Sequence, residues 1–334
     1  MNRLIDHRNP FFSCALRWSF ATTFFLFLCL LLGSGCYRVP DKIEPRVSYQ
    51  LQDQHLQGLS SAFPALSWEE RQAEWGREYT IAHAFAKELD LYRAVSTFKR
   101  AQILLPQKEE LRKDEIAYDI LFCLFLGKKY DEAIEAFEHS TLAHVDKTFP
   151  AYHDLLLILY ECYEEMEDPS KQQRILELFQ KNYPASAEKL QVSQALRQAD
   201  LPQLQELAEG FHGPSYLSKL LDTYYLDKKS IPKAQAFNAI LPGLGYLYIG
   251  QTQSAITAFI LNGLFIAAAY QFFHQGHTAA GIITTGFEAG WYFGGIYGAG
   301  EETKYYNERL YEKNAGAVLN EQKLFPVLML EHTF

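Results

Sequence analysis

Between residues 67 and 212 apolar residues recur at three- and four-residue intervals, and strict alternation is scarce. That spacing lines apolar side chains along one face of a 3.6-residue turn and predicts amphipathic helices rather than strands. Ser67 and Glu70 have capping-box spacing and start the first helix. Helical pairs are predicted over residues 77–106, 117–140 and 152–184. Further helices follow at 186–198 and 202–211, where Asp200 and Pro202 mark a start. The charged run KEELRKDE (108–115) reads as a solvated face.

The pattern changes near Lys233. Residues 254–273 carry no charge, and residues 278–299 are interrupted only by Glu288. At 1.5 Å per residue each stretch spans about 30 Å, the thickness of a bilayer's hydrocarbon core. HQGH (274–277) joins them, so they form an antiparallel hairpin that either spans a bilayer or is the core of a soluble all-α domain. GFEAGWYFGGIYG places Gly286, Gly290, Gly294 and Gly298 four apart. Each would cost a soluble helix about 1 kcal/mol relative to alanine. In lipid, where burial does not drive association, aligned glycines let a neighbouring helix approach. The expected facing positions are Ser254, Ala258 and Asn262, with Asn262 bonding across the pair. Tyr246, Tyr248, Trp291, Tyr292 and Tyr297 fit interfacial or hairpin-lining positions.

The first 35 residues read as an export signal. Arg3, Arg8 and Arg17 precede an apolar run at 20–32, and GSGC (33–36) follows. The expected organisation is therefore a signal at 1–35 and a lipidated N-terminus with linker at 36–66. A helical repeat domain follows at 67–212, a connecting helix at 213–236, the hairpin at 237–300, and an amphipathic helix with a packed tail at 301–334.

Three resemblances add to this reading. LLGSGC resembles a bacterial lipobox, which implies acylation of Cys36, although Gly33 stands where leucine is usual. A plain cleaved signal and an uncleaved anchor are the alternatives. The stretch from Arg77 to Pro106 resembles a tetratricopeptide repeat, with Ile81, Ala82 and Phe85 in its first helix and Ala94, Phe98, Ala101 and Pro106 in and after its second. The next hairpin is a weaker match through Ile120, Leu124, Tyr130, Ala133 and Phe137, and FQKNYP (179–184) ends a third. LPGLGYLYIGQ (241–251) is similar to the PGxGxxYxG entry of TM2-type membrane hairpin modules through Pro242, Gly243, Gly245, Tyr248 and Gly250. The fold class expected is all-α, a tetratricopeptide-like solenoid followed by a glycine-rich hydrophobic hairpin. In overall plan the chain resembles the repeat lipoproteins of the outer-membrane barrel assembly machine, on the lipobox and repeats alone.

Composition narrows function. The net charge of −9 argues against nucleic acid. Of five cysteines, Cys14 and Cys29 fall in the signal; Cys123 and Cys162, in apolar helical contexts, are expected as buried thiols, with a disulfide between them the alternative. There is no GxSxG, HExxH, P-loop or dinucleotide fingerprint, so no catalytic residue, metal or cofactor is expected. His274 and His277 lack a third ligand. Glu288 is expected in a structural role, bonding Asn262 or a tyrosine hydroxyl, with a functional role as an intramembrane carboxylate the alternative. The expected role is binding: a bacterial envelope scaffold with a periplasmic repeat domain, protein partners, membrane lipid and possible self-association. A transport component built from several hairpins is the alternative.

Overall fold

A computed structural model of the chain describes residues 39–47, 56, 58–210 and 213–334. The segment expected as an export signal, and Cys36, lie outside the described residues. Among those described the chain is all-α, and the only strand-like feature is an isolated parallel bridge between Ser60 and His332. It divides into two compact units, residues 45–223 with 312–334, and residues 224–311 with the segment ending at Glu44.

The first unit is a stack of helical hairpins. A short α1 (Trp68–Gln72) begins with the expected capping box of Ser67 and Glu70. The pairs are α2 (Glu74–Lys87) with α3 (Leu91–Leu104), α4 (Glu110–Leu126) with α5 (Tyr130–Glu138), α6 (Tyr152–Glu165) with α7 (Pro169–Asn182), and α8 (Pro184–Gln198) with α9 (Leu201–Glu209). Each helix packs on its neighbours in sequence.

All four hairpins turn the same way. A residue in the left-handed region, Leu89, Lys128, Glu167 or Ala199, ends the first helix. The next N–H then bonds back five residues: Asp90 to Phe85, Lys129 to Leu124, Asp168 to Tyr163 and Asp200 to Ala195, at 2.9–3.0 Å. This C-cap satisfies carbonyls that the helix end would leave orphaned. Asp90, Asp168 and Asp200 then cap the second helix through their carboxylates. Four residues on, Ala94, Ala133, Gln172 and Leu204 are each buried at the crossing.

Of the expected packing positions, Ala82, Ala94, Phe98, Ala101 and Ala133 are fully buried, while Phe85 and Phe137 are half-buried and Pro106 is exposed beyond the end of α3. Ile81 departs from expectation, at 48 % exposure. The buried stripe of α2 runs through Trp75, Tyr79, Ala82 and Ala86, and Ile81 falls off it. Cys123 and Cys162 are buried free thiols.

The second unit contains α11 (Ile231–Ile240), a one-turn α12 (Leu244–Tyr248), α13 (Thr252–His274) and the longer part of α14 (Thr278–Glu321). The single connecting helix expected at 213–236 is two helices, α10 (Ser215–Asp227) and α11, because Pro232 starts a new one. No break occurs near residue 300 either, since α14 continues to Glu321. The expected linker is partly packed. Val39 and Ile43 are buried, and the Glu44 N–H donates to Glu308 Oε1 at 3.0 Å.

Candidate functional site

The first helices of successive hairpins carry a line of buried polar groups, and two extended segments lie against them. Residues 60–66 form one. Phe63 packs on Tyr118 and Phe149, with ring centroids 5.8 and 5.5 Å away. Arg112 of α4 donates to the carbonyls of Pro64 and Ala65, to Glu115 and twice to Glu70, so its five donors have five acceptors. Its guanidinium holds Glu70 below the usual carboxylate range. Glu115 moves the other way, because burial outweighs its bonds from Tyr79 and Arg112. The KEELRKDE run is therefore not simply a solvated face. Arg112 and Glu115 are buried, and Arg112 holds the segment before α1.

Residues 330–334 form the second segment. Asp154 of α6 has no exposed surface, and its carboxylate accepts from the Glu331 N–H at 3.0 Å and the His332 N–H at 2.8 Å. His153 Nδ1 lies 3.0 Å from the same carboxylate, while its Nε2 meets Ser186 of α8 at 2.9 Å. The Thr333 N–H donates to the Ser60 carbonyl at 3.1 Å, tying the segments together. Phe334 is buried against Phe122 of α4 at 4.7 Å and edge-on to His83 of α2 at 6.2 Å. His83 in turn meets Asp119 at 3.1 Å. Beside Phe334 a cavity of about 270 Å³ is lined by Leu56, Leu59, Ala86, Lys87, Leu89 and Thr333.

Within the hairpin, the PGxGxxYxG residues build the entry turn. Asn238 of α11 accepts from the N–H groups of Gly243 and Gly245. Gly243 and Gly250 take positive φ of 95° and 83°, and a methyl at Gly243 would stand 2.3 Å from the Ala255 carbonyl. Pro242 lines the cleft described next, and the Tyr248 hydroxyl accepts from the Ser230 N–H at 3.2 Å.

Ser254, Ala258, Asn262, Gly286, Gly290, Gly294 and Gly298 all line one cleft of about 930 Å³, but the two helices do not close on it. A methyl added at Gly286, Gly290 or Gly294 would meet nothing within 4 Å; only at Gly298 would it strike a neighbour, the Tyr246 hydroxyl. The expected bond across the pair is also absent. Asn262 donates to the Ala258 carbonyl of its own helix, and its Oδ1 has no partner among the described residues. Neither carboxylate oxygen of Glu288 has one. Large apolar side chains that do not line the cleft are exposed, among them Phe259, Leu264 and Ile282, while the exposed Phe287 and Trp291 line it. Among the described residues one helix, α13, is long and apolar enough to cross a membrane.

Sequence reasoning missed the seat for the two segments. Its signal was present, since Asp119 and Asp154 are lone carboxylates inside otherwise apolar helical runs. No family model, curated protein or solved structure matches the chain.

Proposed function

We propose that this is a non-catalytic scaffold of the bacterial cell envelope, held at a membrane by its hydrophobic hairpin and by acylation of Cys36, that binds extended segments of protein partners through a tetratricopeptide-like repeat domain. The observation that carries this reading is the seat itself. Side chains from α4 and α6 grip extended main chain, Arg112 at Pro64 and Ala65 and Asp154 at Glu331 and His332. The buried carboxylates Glu115, Asp119 and Asp154 are engaged with neighbouring side chains or with these segments, which favours holding a chain over performing chemistry. The outward apolar side chains of α13 support membrane residence, because exposed patches of that extent mark lipid or partner contact.

A photoreactive residue placed at Lys87, which lines the cavity beside Phe334, tests the binding role in living cells. The expected result is a discrete adduct with one envelope protein, identified by mass spectrometry, and none from the same residue placed at exposed Ile103. Identical products from both positions, or none from either, would contradict it.

A second reading, an oligomeric transport component, draws on the cleft and the unpartnered Glu288 and Asn262 oxygens. Under that reading Glu288→Gln abolishes the cellular function, whereas a scaffold tolerates it.

A further inference from the structure

We propose that residues 330–334 are a resident but exchangeable occupant of the repeat domain's seat, and that the partner segment is an extended chain presenting two consecutive N–H groups followed by an aromatic side chain. This rests on the binding role proposed above.

Recognition of residues 330–334 is mostly recognition of main chain. Glu331, His332 and Thr333 are held through their N–H groups, and the Glu331 side chain is largely exposed. Of residues 330–334, Leu330 and Phe334 are the two side chains that are buried. Another segment with an apolar residue at the first and an aromatic at the last of these positions reproduces the main-chain bonds and both insertions.

The seat also requires an occupant. Asp154 is wholly buried, so withdrawing residues 331 and 332 leaves its carboxylate with His153 as its partner. A buried carboxylate stripped of hydrogen bonds is strongly disfavoured. Exchange of one main chain for another avoids that penalty, whereas simple emptying does not.

The cavity of about 270 Å³ beside Phe334 leaves room for a larger aromatic. The base of the segment is fixed separately, by Leu324, Phe325 and Val327, each buried. Residues 330–334 can therefore leave while the turn before them stays packed.

The test uses the full chain in detergent and a fluorescein-labelled hexapeptide of residues 329–334, MLEHTF. The wild-type chain is expected to bind it weakly. The Phe334→Ala chain, whose own occupant is weakened, is expected to bind at least about tenfold more tightly. That gain should vanish when the peptide's phenylalanine is alanine or when Asp154→Asn is added. Equal binding by wild type and a Phe334→Ala chain of unchanged helicity and melting overturns the inference.

Should Phe334→Ala fail to fold, hydrogen exchange on the wild type decides. With the MLEHTF peptide in large excess, the Glu331 and His332 amides are expected to exchange at least about tenfold faster than without it, while those of central α4 are unchanged. Exchange that the peptide does not accelerate would make the segment permanent core and overturn the inference. The Lys87 adduct separates this from the broader reading: adduct formation with failure of the peptide test rejects exchange alone, whereas loss of both rejects the binding role.

Discussion

The hairpin stack and the hydrophobic hairpin use small residues in opposite ways. In the stack, Ala82, Ala94, Ala101 and Ala133 are fully buried where helices cross, so each small side chain sets a contact. In the hairpin, Gly286, Gly290 and Gly294 face an open cleft, and large apolar side chains such as Phe259, Leu264 and Ile282 are exposed. The stack completes its own core. The hairpin leaves large apolar side chains exposed, which supports the proposal that it is built for lipid rather than for water.

The sharpest way to break this contrast is paired truncation of aromatics. Phe98→Ala removes a fully buried ring and should cost about 3–5 kcal/mol. Phe259→Ala on the outward face of α13 should cost less than about 0.5 kcal/mol. Thermal or urea unfolding followed by circular dichroism checks both, and similar losses would erase the distinction.

Next comes the pH dependence of the stack. Burial lifts Glu161 from 4.5 to about 7 despite the opposing pull of Arg197, 3.1 Å away. Arg197 moves upward too, so the pair attracts, but desolvation outweighs that attraction at the carboxylate. A raised carboxylate pKa means that the folded state holds the proton more tightly than the unfolded state. Stability is then greatest below pH 4.5 with respect to this group and falls as pH rises to about 7. The loss is up to about 3 kcal/mol. Glu161→Gln should flatten that part of the profile.

Glycine substitutions sharpen the contrast inside the hairpin. A methyl at Gly245 would lie 2.4 Å from the Ala234 carbonyl, so Gly245→Ala should cost about 1–3 kcal/mol. Gly290→Ala meets nothing and should stabilise by up to about 1 kcal/mol through helix propensity. A marked loss at Gly290 instead would show that a helix closes on the cleft in the membrane. The smallest effect is expected at the turns. Leu89→Gly relieves a positive φ of 58° and should gain about 0.5 kcal/mol after the entropy glycine adds to the unfolded chain.

Most of the helical order was legible because it rests on local signals. The Ser67–Glu70 box, Asp200 with Pro202, and the crossing residues Ala94, Phe98 and Ala101 all act over one or two turns. The entry turn at Gly243 and Gly250 was legible for the same reason, since glycine and proline dictate backbone there. What depended on distant pairing was not. Arg112 and Glu115 belong to a charged run that reads as surface, and it is the bonds of Arg112 to Pro64 and Ala65, and of Glu115 to Arg112 and Tyr79, that accompany their burial. Ile81 misled because its apolar character says nothing of the helix's rotation. The open cleft was hidden too, because four-residue spacing aligns the glycines without fixing how far the facing helix stands away.

The central claim, that the hairpin is held by lipid rather than by its own core, is tested most directly by carbonate extraction of the full-length Cys36→Ala chain from cell membranes. Removing the acylation site leaves the hairpin as the only proposed anchor. Retention of the protein in the membrane pellet is the predicted result. Complete release into the supernatant as a folded, helical protein would contradict it.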